Sequence, residues 1–206
     1  GKTIVKDEIW GFQNSDPGFS PDGDYVLFTA IRNFEQDIFV HNIKENKTTN
    51  LTNTGVTESG PVWSPDGKYI FFTSQRLKAS YPFGMANARV YRVPLEKLDE
   101  PYKIDKFNEL FKDEKKDTTK KATATDSLKS ITIDTDLLME RLEQISPSLG
   151  AQFLQSVYQK GEKTTVLYTS NHGDAKNALW KTITEPFEQN KTEKIAGTDN
   201  SLGFDI

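Results

Sequence analysis

The chain carries two histidines, and one of them lies close to a serine and an aspartate. Ser170, His172 and Asp174 together contain the hydroxyl, imidazole and carboxylate groups of a serine hydrolase triad. Triads are assembled from separated segments of a chain, whereas these three residues lie in one short loop. The spacing therefore predicts a structural loop in which Asp174 could at most orient His172. His41 alternates with Phe39 in a strand-like pattern, so we interpret it as a structural residue as well.

Carboxylates also cluster near the first Pro-Asp-Gly sequence, at Asp16, Asp22 and Asp24. Aspartate is favoured in turns because its side chain hydrogen-bonds nearby backbone groups, so we interpret these residues as turn carboxylates and not as metal ligands. The chain has no cysteine and no phosphate-binding, nucleophile-elbow, zinc-protease or calcium-loop spacing. The sequence thus predicts no catalytic residue, no cofactor and no metal site.

One pattern occurs twice, in residues 19–30 and in residues 63–74. Both copies read aromatic-Ser-Pro-Asp-Gly-polar-Tyr-apolar-apolar-Phe-Thr-small. A repeat of roughly 40–50 residues is typical of propeller blades or helical arrays. The residues that we expect to be structural in this repeat are Pro21, Asp22, Gly23, Trp63, Pro65, Asp66 and Gly67.

The chemistry of the repeat favours strands. Proline presets φ, and glycine accepts a positive φ, so each Pro-Asp-Gly predicts a hairpin turn between two strands. Third strands follow at residues 37–43, 89–93 and 178–183, with Phe39, Tyr91 and Trp180 at equivalent positions. Four-stranded meanders of this kind are propeller blades. We therefore predict an all-β fold, a partial β-propeller of about three four-stranded antiparallel blades, with recurring aromatic residues packed between blades.

We expect residues 1–206 to form a single partial propeller domain. Blade one covers about 11–54, blade two about 58–145 and blade three about 150–197, and a further blade begins at about 200–206. Blade two is interrupted at 105–130 by a solvated, Lys/Asp-rich insertion that includes a short amphipathic helix at 105–116.

The end of blade two is ambiguous in the sequence. Residues 130–134 alternate like a strand, and Asp136 could cap a helical turn at 137–140. Residues 141–145 fit either a strand or a continued helix, because Leu138, Leu142 and Ile145 have helical spacing. We favour the turn followed by a strand, since the blade needs a fourth strand here.

Propellers close with 4–8 blades, so three blades leave open edges. We expect either that the chain belongs to a longer protein or that copies self-associate through these edges. The net charge of −4 and the pI near 5.3 argue against a nucleic-acid groove. No apolar run approaches the ~18 residues of a membrane span.

One long loop, at residues 75–88, carries Tyr81, Phe83 and Met85 among small residues. It could simply cover the edge of the blade. Alternatively, it could form a rim that contacts peptides, because loops on a rigid scaffold often carry binding residues.

Residues 63–74 (Trp-Ser-Pro-Asp-Gly-Lys-Tyr-Ile-Phe-Phe-Thr-Ser) resemble the propeller repeat that tricorn-type proteases share with the periplasmic Tol-system propeller. The insertion followed by residues 131–145, together with residues 178–188, is similar to bacterial tricorn-like serine peptidases. The chain is shorter than the six- or seven-bladed propellers of that family. No position matches the catalytic motifs of the family.

The resemblance implies a non-catalytic propeller segment upstream of a PDZ-like module and a serine peptidase core, which makes the parent protein a hydrolase. It implies peptide or protein substrates, the remaining blades and the peptidase domain as partners. It also implies a periplasmic or secreted location, with a cytoplasmic one as the alternative. An interaction scaffold of the Tol type is the alternative function.

Overall fold

A computed structural model describes residues 1–4, 17–32, 35–79, 85–97, 130–172 and 174–200 of the chain. Within these residues, the regular structure is three four-stranded antiparallel sheets and one short 3-10 turn. In each sheet the strands pair in chain order, so each sheet is a meander. This confirms the predicted all-β partial propeller. The predicted helix at 105–116 and the further blade at 200–206 lie essentially outside the described residues.

Each sheet corresponds to one predicted blade. Blade one contains β1 (Gly18–Phe19), β2 (Tyr25–Arg32), β3 (Glu35–Asn42) and β4 (Lys47–Asn50). Blade two contains β5 (Glu58–Trp63), β6 (Tyr69–Ser74), β7 (Arg89–Pro94) and β8 (Glu143–Gln144). Blade three contains β9 (Gln152–Lys160), β10 (Lys163–Ser170), β11 (Ala178–Thr184) and β12 (Lys191–Lys194).

The two Pro-Asp-Gly turns are built by the same hydrogen bonds. In blade one, Ser20 Oγ donates to Asp22 at 2.6 Å and accepts from the N–H of Tyr25 at 2.9 Å. In blade two the same two bonds, again at 2.6 and 2.9 Å, join Ser64, Asp66 and Tyr69. The repeated serine and aspartate therefore satisfy the backbone groups that the turn removes from the strand ladder.

The side chains of β6 alternate between two interfaces. Ile70 and Phe72 join a buried cluster that blade two shares with blade one. Phe71, between them, joins the cluster that blade two shares with blade three. Since all three are at most 1% exposed, both faces of this sheet are buried by neighbouring sheets.

The recurring aromatic residues are cross-strand neighbours in every blade. The strand registers pair Phe28 with Phe39, Phe72 with Tyr91, and Tyr168 with Trp180. The predicted equivalence of Phe39, Tyr91 and Trp180 is confirmed. The first repeat position behaves differently in its two copies, because Trp63 is buried against blade one whereas Phe19 is 60% exposed. Among the described residues, no sheet lies beyond blade one to cover Phe19.

The prediction of a strand at 130–134 was wrong. These residues have no strand pairing, because their backbone groups bond to other partners. The N–H of Ile131 donates to Asp22 Oδ2 at 2.7 Å, and the N–H of Asp134 donates to the carbonyl of Leu95 at 2.7 Å. The segment thus crosses from blade two to the turn of blade one.

Asp136 is not a helix cap, which corrects a second prediction. The short turn is a 3-10 helix at Leu138–Arg141, and it begins after Leu137 without a side-chain cap. The carboxylate of Asp136 instead accepts from Lys97 at 2.7 Å. The strand β8 follows directly, so the preferred order of a turn and then a fourth strand is confirmed.

Gly67 and Gly23 offer a matched test of the packing around the turns. Both have positive φ values, +70° and +77°, so alanine is strained at either position. A Cβ at Gly67 would also lie 2.5 Å from Ile131 Cδ1, whereas a Cβ at Gly23 would meet nothing within 4 Å. We expect Gly67→Ala to destabilise the fold by about 1 kcal/mol more than Gly23→Ala in urea unfolding. Equal losses of stability in the two variants would contradict this contact. When each glycine substitution is combined with Ile131→Ala, the difference between the two variants should disappear.

Candidate functional site

The structure brings Ser170 and His172 together but not Asp174. Ser170 Oγ lies 2.7 Å from His172 Nδ1. The carboxylate of Asp174 instead accepts from the N–H of Lys176 and from Lys194 Nζ, both at 3.3 Å. Burial lowers the pKa of His172. The carboxylate that a triad would need is therefore bonded to two lysines, and the three residues do not form a relay.

His41 and the turn carboxylates have structural partners. His41 is 3% exposed, and its Nδ1 lies 2.9 Å from Thr48 Oγ1 on the neighbouring strand. Asp24 forms an ion pair with Lys44 at 2.5 Å. Asp16 lies outside the described residues. Across the part of the chain that the structure describes, no cluster of three potential metal ligands occurs.

The proposed peptide-contacting loop is only partly described. Met85 is half-buried, and its carbonyl accepts from the N–H of Ala88 at 3.0 Å in a tight turn before β7. Tyr81 and Phe83 lie outside the described residues. The role of this loop as a binding rim therefore stays a prediction.

A buried acidic side chain lies at the end of the sheets opposite the Pro-Asp-Gly turns. Glu58 begins β5, is 0% exposed and accepts from Arg76 Nη2 at 3.2 Å. Ser74 Oγ also approaches Glu58 Oε1, at 3.4 Å. Burial raises the pKa of Glu58 to about 7, and the nearby Arg76 only partly offsets it. The sequence does not mark this residue, because one glutamate at a strand end has no distinguishing pattern.

A groove of about 550 Å³ separates blades two and three at the end that carries the turns. Its blade-two wall includes Asp66, Tyr69 and Arg92. Its blade-three wall includes Gln159, Gly161 and residues of the connection 185–190, among them Phe187. We name this cavity the second groove, because it lies between the second and third blades. It lies between two hydrogen-bonded sheets, so its walls are rigid, and most of its lining residues are polar or charged, with Tyr69, Pro186 and Phe187 as the apolar or aromatic ones.

Asp66 is the polar centre of the second groove. Its Oδ1 accepts from Ser64 Oγ at 2.6 Å and from the N–H of Lys68 at 3.1 Å, while its Oδ2 accepts from Gln159 Nε2 at 3.0 Å. Partial burial opposes ionisation, but the hydrogen bonds from Ser64 and Gln159 outweigh it and lower the pKa of Asp66. The groove therefore contains a carboxylate at neutral pH, which attracts hydrogen-bond donors.

Arg92 fixes the neighbouring aromatic wall. Its guanidinium lies 4.6 Å from the ring centroid of Tyr69, and it forms an ion pair with Glu143 at 2.6 Å. The cation–π contact and the ion pair hold both side chains against blade two. The sequence alone does not reveal this groove, although the repeat marks Asp66 as a structural residue.

Comparison with known proteins supports the interpretation of the repeats as propeller blades. A family model described as the TolB beta propeller domain matches residues 6–183. No curated protein matches the chain significantly. The structure of a putative TolB from Agrobacterium tumefaciens is 18% identical, with a TM-score of 0.50; the alignment covers 96% of this chain and 53% of that one. The crystal structure of the tricorn protease is 12% identical, with a TM-score of 0.54, and covers 90% of this chain and 18% of that one. The chain thus spans about half of the first structure and a fifth of the second, and at these identities the likeness shows the fold alone.

The buried carboxyl of Glu58 predicts a specific pH dependence of stability. Its pKa is higher in the folded protein than in the unfolded chain, so the folded state keeps a proton that the unfolded state loses between about pH 4.5 and 7. This contribution to stability is therefore lost as the pH rises through that window. We expect Glu58→Gln to match the wild type near pH 4 and to exceed it by roughly 2–3 kcal/mol at pH 8.

Urea unfolding of both proteins across pH 4–8 measures this difference. The subtraction removes the contributions of the other titrating groups. A difference that stays constant with pH would contradict the raised pKa.

Proposed function

Because the chain belongs to the TolB beta propeller domain family, we propose that it is a non-catalytic propeller segment that docks peptides or protein partners. The activity that it serves is carried elsewhere in a longer protein, as in the serine peptidase that the sequence resembles. The second groove supports this role, because it offers a peptide-sized cleft on a rigid scaffold. Docking there would present peptide substrates to a catalytic domain.

The two outer sheets support the idea of further partners. Phe19 on blade one is 60% exposed, while Phe153 and Tyr158 on blade three are 39% and 47% exposed. Exposed aromatic side chains at both ends of a stack suit contact with further blades of a parent protein, with a second copy or with another protein. A pure interaction scaffold is therefore the second candidate function.

Location follows from the resemblance alone and stays a proposal. A periplasmic or secreted site is what the resemblance implies, and a cytoplasmic one is the alternative. The described residues contain no helix that is long and apolar enough to cross a bilayer.

The docking role predicts binding without hydrolysis. The chain should bind a fluorescein-labelled mixture of casein peptides, measured by fluorescence anisotropy, and should leave those peptides intact in mass spectra. Thr164→Trp places a large side chain at a half-buried position that lines the second groove. It should weaken binding at least about fivefold, since the cleft loses its volume.

Thr49→Trp is the matched control, because Thr49 is also a half-buried strand threonine but lies on β4 of blade one. It should leave binding unchanged. Robust hydrolysis would overturn the non-catalytic assignment, and the absence of any binding would overturn the docking role.

A further inference from the structure

Two buried carboxyl groups and one arginine lie where blades one and two meet, at the end opposite the Pro-Asp-Gly turns. Asp37 on β3 of blade one is 3% exposed, and Glu58 at the start of β5 of blade two is 0% exposed. Gln36 Nε2 donates to the carbonyl of Glu58 at 2.8 Å, so the backbone that carries this acid is bonded to blade one. Arg76 Nη2 donates to Glu58 Oε1 at 3.2 Å. If both carboxyls are ionised, this junction has two negative charges and one positive charge, so it is balanced only when one carboxyl keeps a proton.

Hydrogen bonds decide which of the two carboxyls keeps the proton. Asp37 accepts three bonds that favour its ionised form. The donors are Asn50 Nδ2 at 2.8 Å, and Thr52 Oγ1 and the N–H of Thr54, both at 3.1 Å. Glu58 Oε1 accepts longer bonds from Arg76 and from Ser74, at 3.2 and 3.4 Å, and among the described residues its buried Oε2 has no hydrogen-bond partner. The proton therefore belongs on Glu58, in line with its pKa of about 7.

The other charged and titratable groups around Glu58 do not change this assignment. Glu35 on β3 accepts from a threonine hydroxyl at 2.7 Å, and Arg89 on β7 donates to a backbone carbonyl at 2.7 Å. Burial raises the pKa of Tyr91, so its phenol is neutral at neutral pH. Within the part of the chain that the structure describes, Arg76 is the cation that bonds to the Glu58 carboxyl, and Asp37 is the anion that opposes its ionisation.

The turn end of the same junction is closed by contacts that do not involve Glu58. Trp63 Nε1 donates to the carbonyl of Gly18 at 3.3 Å. The N–H of Ile131 donates to Asp22 Oδ2 at 2.7 Å, and its carbonyl accepts from Tyr25 Oη at 3.3 Å. The pKa of Asp22 is lowered, mainly by its hydrogen bonds, which outweigh burial, so this end does not change its charge near neutral pH. The two ends of one junction thus respond differently to protons.

We propose that Glu58 is a proton-operated clasp between blades one and two. With its proton in place, the junction is closed along its whole length. Loss of the proton to solvent leaves an unbalanced negative charge in a buried position, so the two blades separate at the Glu58 end while the turn end stays closed. The clasp makes the end of the propeller opposite the turns responsive to pH, and it does not depend on the docking role.

Amide hydrogen exchange, followed residue by residue by NMR on the full chain from pH 4 to pH 8, tests the clasp. The N–H groups of Ile38 and Thr54 report on the Glu58 end, because they donate to side chains in the junction. The N–H groups of Ile131 and Ser64 report on the turn end. Each rate is divided by the rate in Glu58→Gln, which keeps the shape of the neutral acid, so that the intrinsic pH dependence of exchange cancels.

The ratio of wild-type to Glu58→Gln rates should rise at least about tenfold between pH 4 and pH 8 for Ile38 and Thr54, because the opened state ionises at a lower pH than the closed state. For Ile131 and Ser64 the ratio should change less than about twofold. A rise of equal size at all four amides would show that Glu58 affects only global stability, and the clasp would be wrong. A ratio that is independent of pH at the Glu58 end would also overturn it.

Arg76→Gln is an independent variant that should act in the opposite direction to Glu58→Gln. Without the cation, the ionised carboxyl is less stable in the closed junction, so Ile38 and Thr54 should exchange about threefold faster than in the wild type near pH 8. This pH-dependent part of the effect should vanish when Glu58→Gln is also present. Lys163→Gln, which removes an exposed cation on blade three, is the control and should leave these rates unchanged. Unchanged or slower exchange in Arg76→Gln near pH 8 would contradict the clasp.

Discussion

Blade two has two apolar faces, and a neighbouring sheet must cover each of them for burial to stabilise it in water. This constraint follows from the alternation of side chains along a strand, since Phe71 and Phe72 point to opposite neighbours. Blade two satisfies it with one sheet on either side. The stack of sheets is therefore held together by burial between blades, and the hairpin turns fix which residues meet.

The polar groups at the two ends of the stack show what burial does to a carboxyl. Asp22 and Asp66 receive several hydrogen bonds at the turn end, so their pKa values fall although burial opposes it. Glu58, at the opposite end, is enclosed by strands of two blades, and there burial dominates. Acidic residues of similar chemistry thus differ because Glu58 is fully enclosed, so its desolvation outweighs the donors Ser74 and Arg76, whereas the two turn aspartates stay partly exposed.

Most of the fold could be predicted from the sequence, because its information is local and repeated. The turn residues Ser64, Asp66 and Tyr69 form hydrogen bonds within a few positions of one another, so the local sequence motif specifies the hairpin. The strand predicted at residues 130–134 was wrong, because these residues alternate between apolar and polar but their backbone groups bond to residues far away in the chain. Asp22 lies 109 positions from Ile131, and no local rule links them.

The candidate site could be predicted only in part, for the same reason. Asp66 was identified through the repeat, whereas Gln159 and Gly161 enter the groove from a hairpin that lacks the Pro-Asp-Gly sequence. Glu58 was missed because its burial depends on how two neighbouring blades pack around it, which no local pattern shows. The connection at 95–142 is much longer than the connection at 185–190. The sequence shows this difference in length, but only the structure shows that the long connection reaches the turn of blade one and the short one does not.

That contrast shows how a repeat protein can use the same turn groups in two ways. Blades one and two each bring a turn carboxylate, a tyrosine and a turn glycine to the boundary with a neighbouring blade. A long connection that returns across the boundary uses these groups internally, as Ile131 does, and adds to the core. Next to the short connection at 185–190, the turn carboxylate of Asp66 accepts from Gln159 instead. The length of one connection thus decides which group the turn carboxylate accepts a hydrogen bond from.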